Sequence, residues 1–344
     1  MSFGLWTACV LLVAISLGGC SAVPQPRWAI AIHGGAGAIK KGEAPELEPR
    51  YREAMRRVLD EGKKRLAAGE SSLDVCEALV RMLEDDELFN AGRGAVLTER
   101  GEVELDAAIM NGATMTAGAV AGVKTVRHPI SLARRVMEKT PHVLLIGDGA
   151  EAFATEAGVE RVSNDWFITP RRREQLEREL KRRDGEKKSA GTMDGGGPHD
   201  GRVDATPDTR FGTVGVVALD HAGRLAAATS TGGMTGKRPG RVGDAPLIGS
   251  GTYANNTVAV SCTGTGEQFI RHAVASGIAA RMQLAGESVE RATGHYVFRV
   301  LNPGDGGLIA VDRGGRIAMP YSSAGMYRAA ADSAGRDEVR IWEE

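Results

Sequence analysis

The sequence predicts an α+β fold arranged as a layered sandwich. Amphipathic helical spacing recurs in both halves of the chain, and so do antiparallel hairpins closed by short turns; that combination favours stacked layers over a doubly wound parallel sheet. The 344 residues, 42% of them hydrophobic, suffice for a sizeable core in one large or two moderate domains.

The elements follow in order. Positions 28–32 form a short apolar strand leading into a glycine turn, His33-Gly34-Gly35-Ala36-Gly37. That turn lacks the Lys-Ser/Thr of a phosphate loop, and no acidic residue follows a second strand as a dinucleotide site requires. Residues 46–68 show helical spacing through Tyr51, Met55, Val58, Leu59 and Leu66. Ser72 is expected to cap a second helix with Val75, Cys76, Leu79, Val80 and Leu83 on its apolar face. The acidic stretch 84–94 reads either as a solvated loop or as a cation loop built partly from backbone carbonyls. Strands at 103–110 and 116–123 flank an Asn111-Gly112 turn. A helix at 129–139, a buried strand at 143–146 and a helix at 150–158 come next. From 170 the composition changes: 171–188 is crowded with both charge signs and reads as an exposed, fraying helix, while 191–209 is rich in Gly, Pro, Asp and Thr and reads as a flexible connector. Then 214–219 and 225–229 make a hairpin around Asp220-His221-Ala222-Gly223. A strand at 258–262, a helix at 267–282 and a hairpin of 308–312 with 316–319 complete the reading.

Composition narrows the function. A net charge of −1 and interleaved acids within the basic run argue against nucleic acid as a partner. Of four cysteines, Cys9 and Cys20 fall in the apolar leader, and Cys76 and Cys262 read as small core residues, too few for a disulfide framework. No His/Cys cluster has zinc spacing. Residues 5–17 are apolar but short for a membrane span. They end in Leu17-Gly18-Gly19-Cys20-Ser21, which resembles a bacterial lipobox, although no Lys or Arg precedes the run. The expectation is a signal segment over 1–20 with lipidation at Cys20, a tether over 21–27, and an exported, periplasmic lipoprotein held on a membrane by its lipid.

The most informative stretch is Phe211-Gly212-Thr213-Val214-Gly215. A Thr heads an apolar strand, a Gly precedes it, and a loose segment lies upstream. A cut between Gly212 and Thr213 would give Thr213 both a hydroxyl nucleophile and a free α-amine to activate it. That amine has an ordinary pKa of about 7.7–8.0, so part of it is neutral near pH 7. In a hairpin starting at Thr213, Thr231 of Thr229-Ser230-Thr231-Gly232-Gly233-Met234 falls on the neighbouring strand. Arg241 and Asp244, on a glycine-punctuated loop, can face the carboxylate and the ammonium of one small zwitterion. Backbone N–H groups where the strand at Ser261-Cys262-Thr263-Gly264-Thr265-Gly266-Glu267 turns into a helix can form an oxyanion hole.

Taken together, these motifs resemble the plant-type L-asparaginase/isoaspartyl peptidase family of N-terminal nucleophile hydrolases. The likeness runs from Trp28 to the C-terminus, with Leu88-Phe89-Asn90-Ala91-Gly92, Leu105-Asp106-Ala107 and Met110 also in place. It implies a four-layer αββα sandwich made as a precursor that cuts itself into an α subunit, 28–212 (with 170–211 a flexible linker at its end), and a β subunit, 213–344. Both subunits share one domain, and the mature unit is a dimer of αβ heterodimers. The resemblance makes Thr213 the nucleophile and Thr231 its assistant. Thr263 and Gly264 become the oxyanion hole, and Asn90 a neighbour of the nucleophile. Arg241, Asp244 and Gly266 become the substrate contacts. It implies no organic cofactor and a structural Na+ on the carbonyls of Leu83, Glu84, Asp86, Phe89, Ala91 and Arg93, although Arg93 stands where the family usually has a small or apolar residue. The implied reaction releases L-aspartate from isoaspartyl dipeptides and L-asparagine. Its alternatives are an N4-glycosylasparaginase and, outside enzymes, a lipid-anchored amino-acid-binding module that kept the Arg241/Asp244 clamp.

Overall fold

Strand β1 (Ala29–Ala36) shows how the chain distributes its apolar residues. Ile30 and Ile32 join one hydrophobic cluster, Ala29 and Ala31 another, the period-2 alternation of a strand buried on both faces. The structure is a computed structural model and describes residues 1, 27–37, 41–190 and 212–343. Cys20, the rest of the leader and the 191–211 connector lie outside the described residues.

After β1 come helices α1 (Leu47–Ala67) and α2 (Ser72–Glu84), strands β2 (Leu105–Asn111) and β3 (Thr116–Val123), α3 (Pro129–Lys139), β4 (Leu144–Ile146), α4 (Gly147–Glu156), α5 (Asn164–Phe167) and α6 (Pro170–Ala190). The second half holds β5 (Val214–Leu219), β6 (Leu225–Thr231), β7 (Thr252–Ala254), β8 (Val258–Gly264), α7 (Gly266–Arg271), α8 (Val274–Ala285), α9 (Val289–His295), a π-helical turn (Tyr296–Val300), β9 (Gly306–Asp312), β10 (Ile317–Ala318), β11 (Met326–Asp332) and β12 (Asp337–Arg340). An eight-stranded sheet runs β12-β11-β1-β5-β6-β2-β3-β4, and a four-stranded sheet runs β10-β9-β8-β7. Every pairing is antiparallel except β3 with β4.

Three clusters hold these elements. Met55 and Leu59 of α1, Leu79 and Leu83 of α2, and Leu132 and Val136 of α3 pack with Ile30, Val216, Ala228 and Ile109 of the larger sheet. Each fully buried Leu, Ile, Val or Met side chain among them contributes roughly 1.5–3 kcal/mol. Ala31, Val217, Ala227 and Met110 from the larger sheet share a second cluster with Ala259, Ile309 and Val311 of the smaller one. Val258, Val260 and Cys262 point the other way, to Ile278 and Met282 of α8 and Ala292 of α9. Cys76 and Cys262 are buried and free, as expected of core residues.

Several expectations need correction. Ser71, not Ser72, caps α2: its hydroxyl accepts the Asp74 N–H, and its backbone is extended as an N-cap requires. The strand around 143–146 is an exposed edge rather than buried; it pairs on one side only, and Val143 and Ile146 are largely in solvent. The helix expected over 267–282 is two helices. Ala273 adopts a left-handed conformation at φ 45°, and the first N–H groups of α8 turn to the carbonyls of Ser250 and Gly249. The segment expected to be exposed and to open a flexible linker is, over 170–190, a helix with a packed face. Arg172, Gln175, Leu176 and Glu179 are buried at helical spacing, and Arg183 donates to the Gly236 carbonyl at 2.7 Å. The glycine turn after β1 is part of the strand, with a bulge between His33 and Gly35.

Close approach of α3 to β3 depends on Gly118, where a Cβ would overlap the Ala133 carbonyl oxygen and lie 2.6 Å from the Met137 nitrogen. Because those neighbours are helix backbone, Gly118→Ala is expected to destabilise the protein by about 1–3 kcal/mol in urea unfolding. An unchanged midpoint would show that α3 shifts freely.

Candidate active site

The hairpin of β5 and β6 builds the centre. Val214 pairs with Ser230, so the residues just outside that pair, Thr213 and Thr231, meet across the strands. The Thr213 hydroxyl donates to Thr231 Oγ1 at 3.1 Å, and the Thr231 hydroxyl donates to the Gly212 carbonyl, also at 3.1 Å. Asn90 Nδ2 donates to the same Gly212 carbonyl at 2.7 Å and to the Gly233 carbonyl at 2.8 Å. Asn90 is fixed in turn by the Val96 N–H on its Oδ1. All three side chains are almost fully buried. The carbonyl just before Thr213 is therefore polarised by two donors while the neighbouring hydroxyl is already directed at Thr231.

Glycines let other segments come close. A Cβ on Gly35, which has φ +115°, would lie 2.9 Å from Gly212 Cα and 3.3 Å from Thr213 N. The next residue, Ala36, donates its N–H to Thr263 Oγ1 at 3.0 Å, which brings the end of β8 to the same place. Gly264, at φ +148°, pairs with Gly306.

The proposed clamp residues also converge. Arg241 grips Glu267 with Nε and Nη2 at 2.9 and 2.8 Å, and its Nη1 lies against Gly233, whose N–H caps Thr231 Oγ1. Gly266 leaves room for both groups: a Cβ there would sit 2.9 Å from Asp244 Oδ1 and 3.0 Å from Arg241 Nη2. Asp244 is buried, and its Oδ2 has no hydrogen-bond partner among the described residues. Burial pushes its carboxyl up to about 7. The loop carrying Arg241 is tied to the start of β2, since Lys237 Nζ donates to the Glu104 carbonyl at 2.9 Å and Gly240 N donates to the Glu104 carboxylate at 2.8 Å. Asp106 is buried nearby and accepts the Gly122 N–H; burial raises its carboxyl against the pull of the Lys237 and Arg241 charges.

The acidic loop is wound tightly. The carbonyls of Leu83, Glu84 and Asp86 accept the N–H groups of Asp86, Arg93 and Phe89. Each carbonyl keeps a second lone pair, so accepting an N–H does not bar it from a cation. Arg93 turns its guanidinium outward, donating to the Trp166 carbonyl at 2.8 Å and stacking over that indole. The Glu84 carboxyl faces inward, accepting from Ser230 Oγ at 2.6 Å and Ile130 N at 3.0 Å; burial pushes it up to about 8. No group of three or more His, Cys, Asp and Glu among the described residues could hold a metal.

The profile of the asparaginase family, Asparaginase_2, matches residues 26–341. The chain belongs to the asparaginase family. It is 54% identical over 307 residues to an isoaspartyl peptidase of Salmonella typhimurium, covering 87% of this chain and 94% of the relative. It is 53% identical over 305 residues to the isoaspartyl peptidase of Escherichia coli, with 87% and 91% covered. A probable isoaspartyl peptidase/L-asparaginase 2 of Arabidopsis thaliana is 41% identical over 325 residues, with 92% and 99% covered. The chain is thus an enzyme of a hydrolase family.

The structure brings together Thr213, Thr231, Asn90 and Gly212 directly, and Arg241, Asp244 and Gly266 beside them. Sequence reading missed what holds them: His33, Ser261, Lys237 and Glu104. The signal for His33 and Ser261 was a polar residue set inside an apolar strand; Lys237 stands in the glycine-punctuated loop before Arg241, and Glu104 just before β2.

The buried Asp244 gives a pH prediction. Its folded pKa is raised, so between about pH 4 and pH 7 the folded state holds a proton that the unfolded state has lost, and stability falls as pH rises through that window. Relative to Asp244→Asn, the wild type is expected to lose up to about 4 kcal/mol across it. Paired urea melts at the two ends of the window measure this, and a pH-independent difference would contradict it.

Proposed function

We propose that the chain is a self-cleaving threonine-type amidohydrolase that releases L-aspartate from isoaspartyl dipeptides and from L-asparagine. The single observation behind this reading is the Gly212 carbonyl, held by Asn90 and Thr231 beside the Thr213 hydroxyl. In the first step Thr213 Oγ1 attacks the Gly212 carbonyl carbon and passes its proton to Thr231, whose own proton follows toward the developing oxyanion. As the Gly212–Thr213 C–N bond breaks, that proton passes from the Gly212 oxygen to the departing Thr213 nitrogen, and an ester joins Gly212 to the Thr213 oxygen. Water opens that ester and frees a β subunit beginning at Thr213.

In the mature enzyme the Thr213 amine accepts the hydroxyl proton. The oxygen attacks the side-chain carbonyl of asparagine, or the β-linked amide of an isoaspartyl peptide. Thr263 and Gly264 stabilise the oxyanion; a donor of this kind is typically worth about 10²–10³ in rate. The proton returns to the leaving ammonia or amino acid, and water then releases aspartate. Arg241 takes the substrate's α-carboxylate, with Nη1 available and Glu267 displaced or shared. Asp244 takes its ammonium against Gly266.

The three hydrophobic clusters support a four-layer αββα sandwich as the scaffold. No organic cofactor enters these steps. Carbonyls of Leu83, Glu84, Asp86, Phe89, Ala91 and Arg93 are proposed to hold a structural Na+, consistent with the outward turn of Arg93. The proposed assembly is a dimer of αβ heterodimers. The lipobox-like leader supports export and lipidation at Cys20, with residence in the periplasm. No helix among the described residues is long and apolar enough to cross a membrane; the proposed attachment is the lipid on Cys20.

Thr213→Ala should remain one uncut, inactive chain on a denaturing gel. Two chains from that variant would falsify the assignment of the nucleophile. Side-by-side assays should show faster turnover of isoaspartyl-leucine and asparagine than of N4-glycosylated asparagine; the opposite order would favour a glycosylasparaginase. Radiolabelled palmitate should enter the wild type and be lost in Cys20→Ala, and labelling that persists would remove Cys20 as the lipid site.

A further inference from the structure

His33 ends the apolar run of β1 and is completely buried, yet the reaction just described does not use it. It lies in a cross-strand row: His33 pairs with Gly215, and Gly215 pairs with Thr229. Ser261, from the smaller sheet, reaches into the gap above Gly215, and Thr252 pairs with Ser261 in that sheet. His33 Nδ1 stands 2.7 Å from the Thr213 carbonyl oxygen, and His33 Nε2 stands 2.9 Å from Ser261 Oγ. Thr229 Oγ1 is 2.7 Å from Ser261 Oγ, and Thr252 Oγ1 is 2.6 Å from Thr229 Oγ1.

Counting protons fixes the direction at the His33 end of this row. A carbonyl oxygen only accepts, so His33 Nδ1 carries the hydrogen. Nε2 then accepts from Ser261, whose only proton is thereby used. Beyond Ser261 the row branches: Thr229 Oγ1 lies against both Ser261 Oγ and Thr252 Oγ1, and the Thr252 hydroxyl also reaches the Ala245 carbonyl at 2.9 Å. Burial also holds the His33 ring neutral by lowering its basicity to about 3, so Nε2 stays an acceptor at any ordinary pH. Neither ring nitrogen touches the Thr213 hydroxyl, whose partner is Thr231, so the imidazole is not its base. Gly215 is part of the arrangement: a Cβ there would overlap both Ser261 Oγ and His33 Nε2.

We propose that His33, held as the Nδ1–H tautomer by the Thr213 carbonyl and the Ser261 hydroxyl, is a positioning residue that fixes the Thr213 carbonyl and through it the direction of the Thr213 amine and hydroxyl. The proposal rests on the reading of Thr213 as nucleophile. His33 Nδ1 holds the carbonyl of the peptide plane after Thr213, and the nucleophile's own Cα is the next atom. A small rotation there moves the hydroxyl relative to both Gly212 and Thr231. Misplacement by about 1 Å can cost on the order of 10² in rate.

The test uses the purified full-length protein and an isoaspartyl dipeptide. His33→Leu removes the donor and should lower kcat on the order of 10²-fold with KM within about threefold, and slow self-cleavage similarly. His33→Asn offers an amide N–H near the Nδ1 position and should recover at least about tenfold of that loss. Ser261→Ala leaves the ring but frees its tautomer and should lower kcat about tenfold at unchanged KM. If His33→Leu does not fold, Ser261→Ala decides alone. Wild-type kcat in Ser261→Ala overturns the proposal. So does an Asn variant no better than the Leu variant, or a loss that appears in KM. Thr213→Ala runs beside them: activity surviving in that variant overturns the reading of the nucleophile itself, a different outcome from any of these.

Discussion

The antiparallel register of β5 on β6 is the constraint from which the site follows. With Val214 opposite Ser230, Thr213 and Thr231 fall opposite each other at the open end of the hairpin, on the face turned toward the smaller sheet. A slip of one residue in either strand would send its hydroxyl to the opposite face, among the apolar side chains of the helix-covered cluster. The register is secured on either side. β1 pairs with β5 from His33 to Ala29, and β2 pairs with β6 from Asp106 to Asn111. Both neighbours carry residues that act at the site, so the strands that fix the register also deliver its chemistry.

Burying so many polar groups between two sheets is costly unless each finds a partner. The hydroxyls of Thr213, Thr231, Thr229, Thr252 and Ser261 all do, in two short files. Two of the four buried, unpartnered polar atoms among the described residues are informative. The unpartnered oxygens of Asp106 and Asp244 lie around Arg241 and Lys237, where the loop of 232–244 meets β2 and β8. A polar region left incomplete beside a completed one is what a substrate ammonium and carboxylate would finish.

The period-2 and period-3.6 patterns made most elements of the first half legible, because helices such as α2 present one clear apolar stripe and hairpins such as β5–β6 close on readable turns. Tertiary context overruled the pattern in particular places. The 267–282 helix reads as continuous, since nothing in its composition records that the Gly249 and Ser250 carbonyls cap a new start at residue 274. Strands β11 and β12 and helix α9 went unread, although β11 is the β1 neighbour that carries the sheet to its far edge. At the site, Thr213, Thr231, Arg241 and Asp244 were legible because hydroxyls and charges beside glycines stand out. His33 and Ser261 were not, because a single polar residue in an apolar strand shows its meaning only when the facing sheet is in place.

One pair of donors serves two proposed states. In the continuous chain Asn90 Nδ2 and Thr231 Oγ1 are spent on the Gly212 carbonyl. Once the proposed cleavage removes Gly212, both donors lose that acceptor while remaining held from behind, Asn90 by Val96 and Gly233, Thr231 by the Gly233 N–H. They are then unsatisfied and buried beside a new amine and its hydroxyl, a state that favours an incoming polar group over empty space. Self-cleavage therefore does more than uncover an amine. It converts the groups that polarised the chain's own peptide bond into groups that hold the nucleophile, with no movement of β1, β5 or β6 required, which is how a rigid site can act first on itself and then on a substrate.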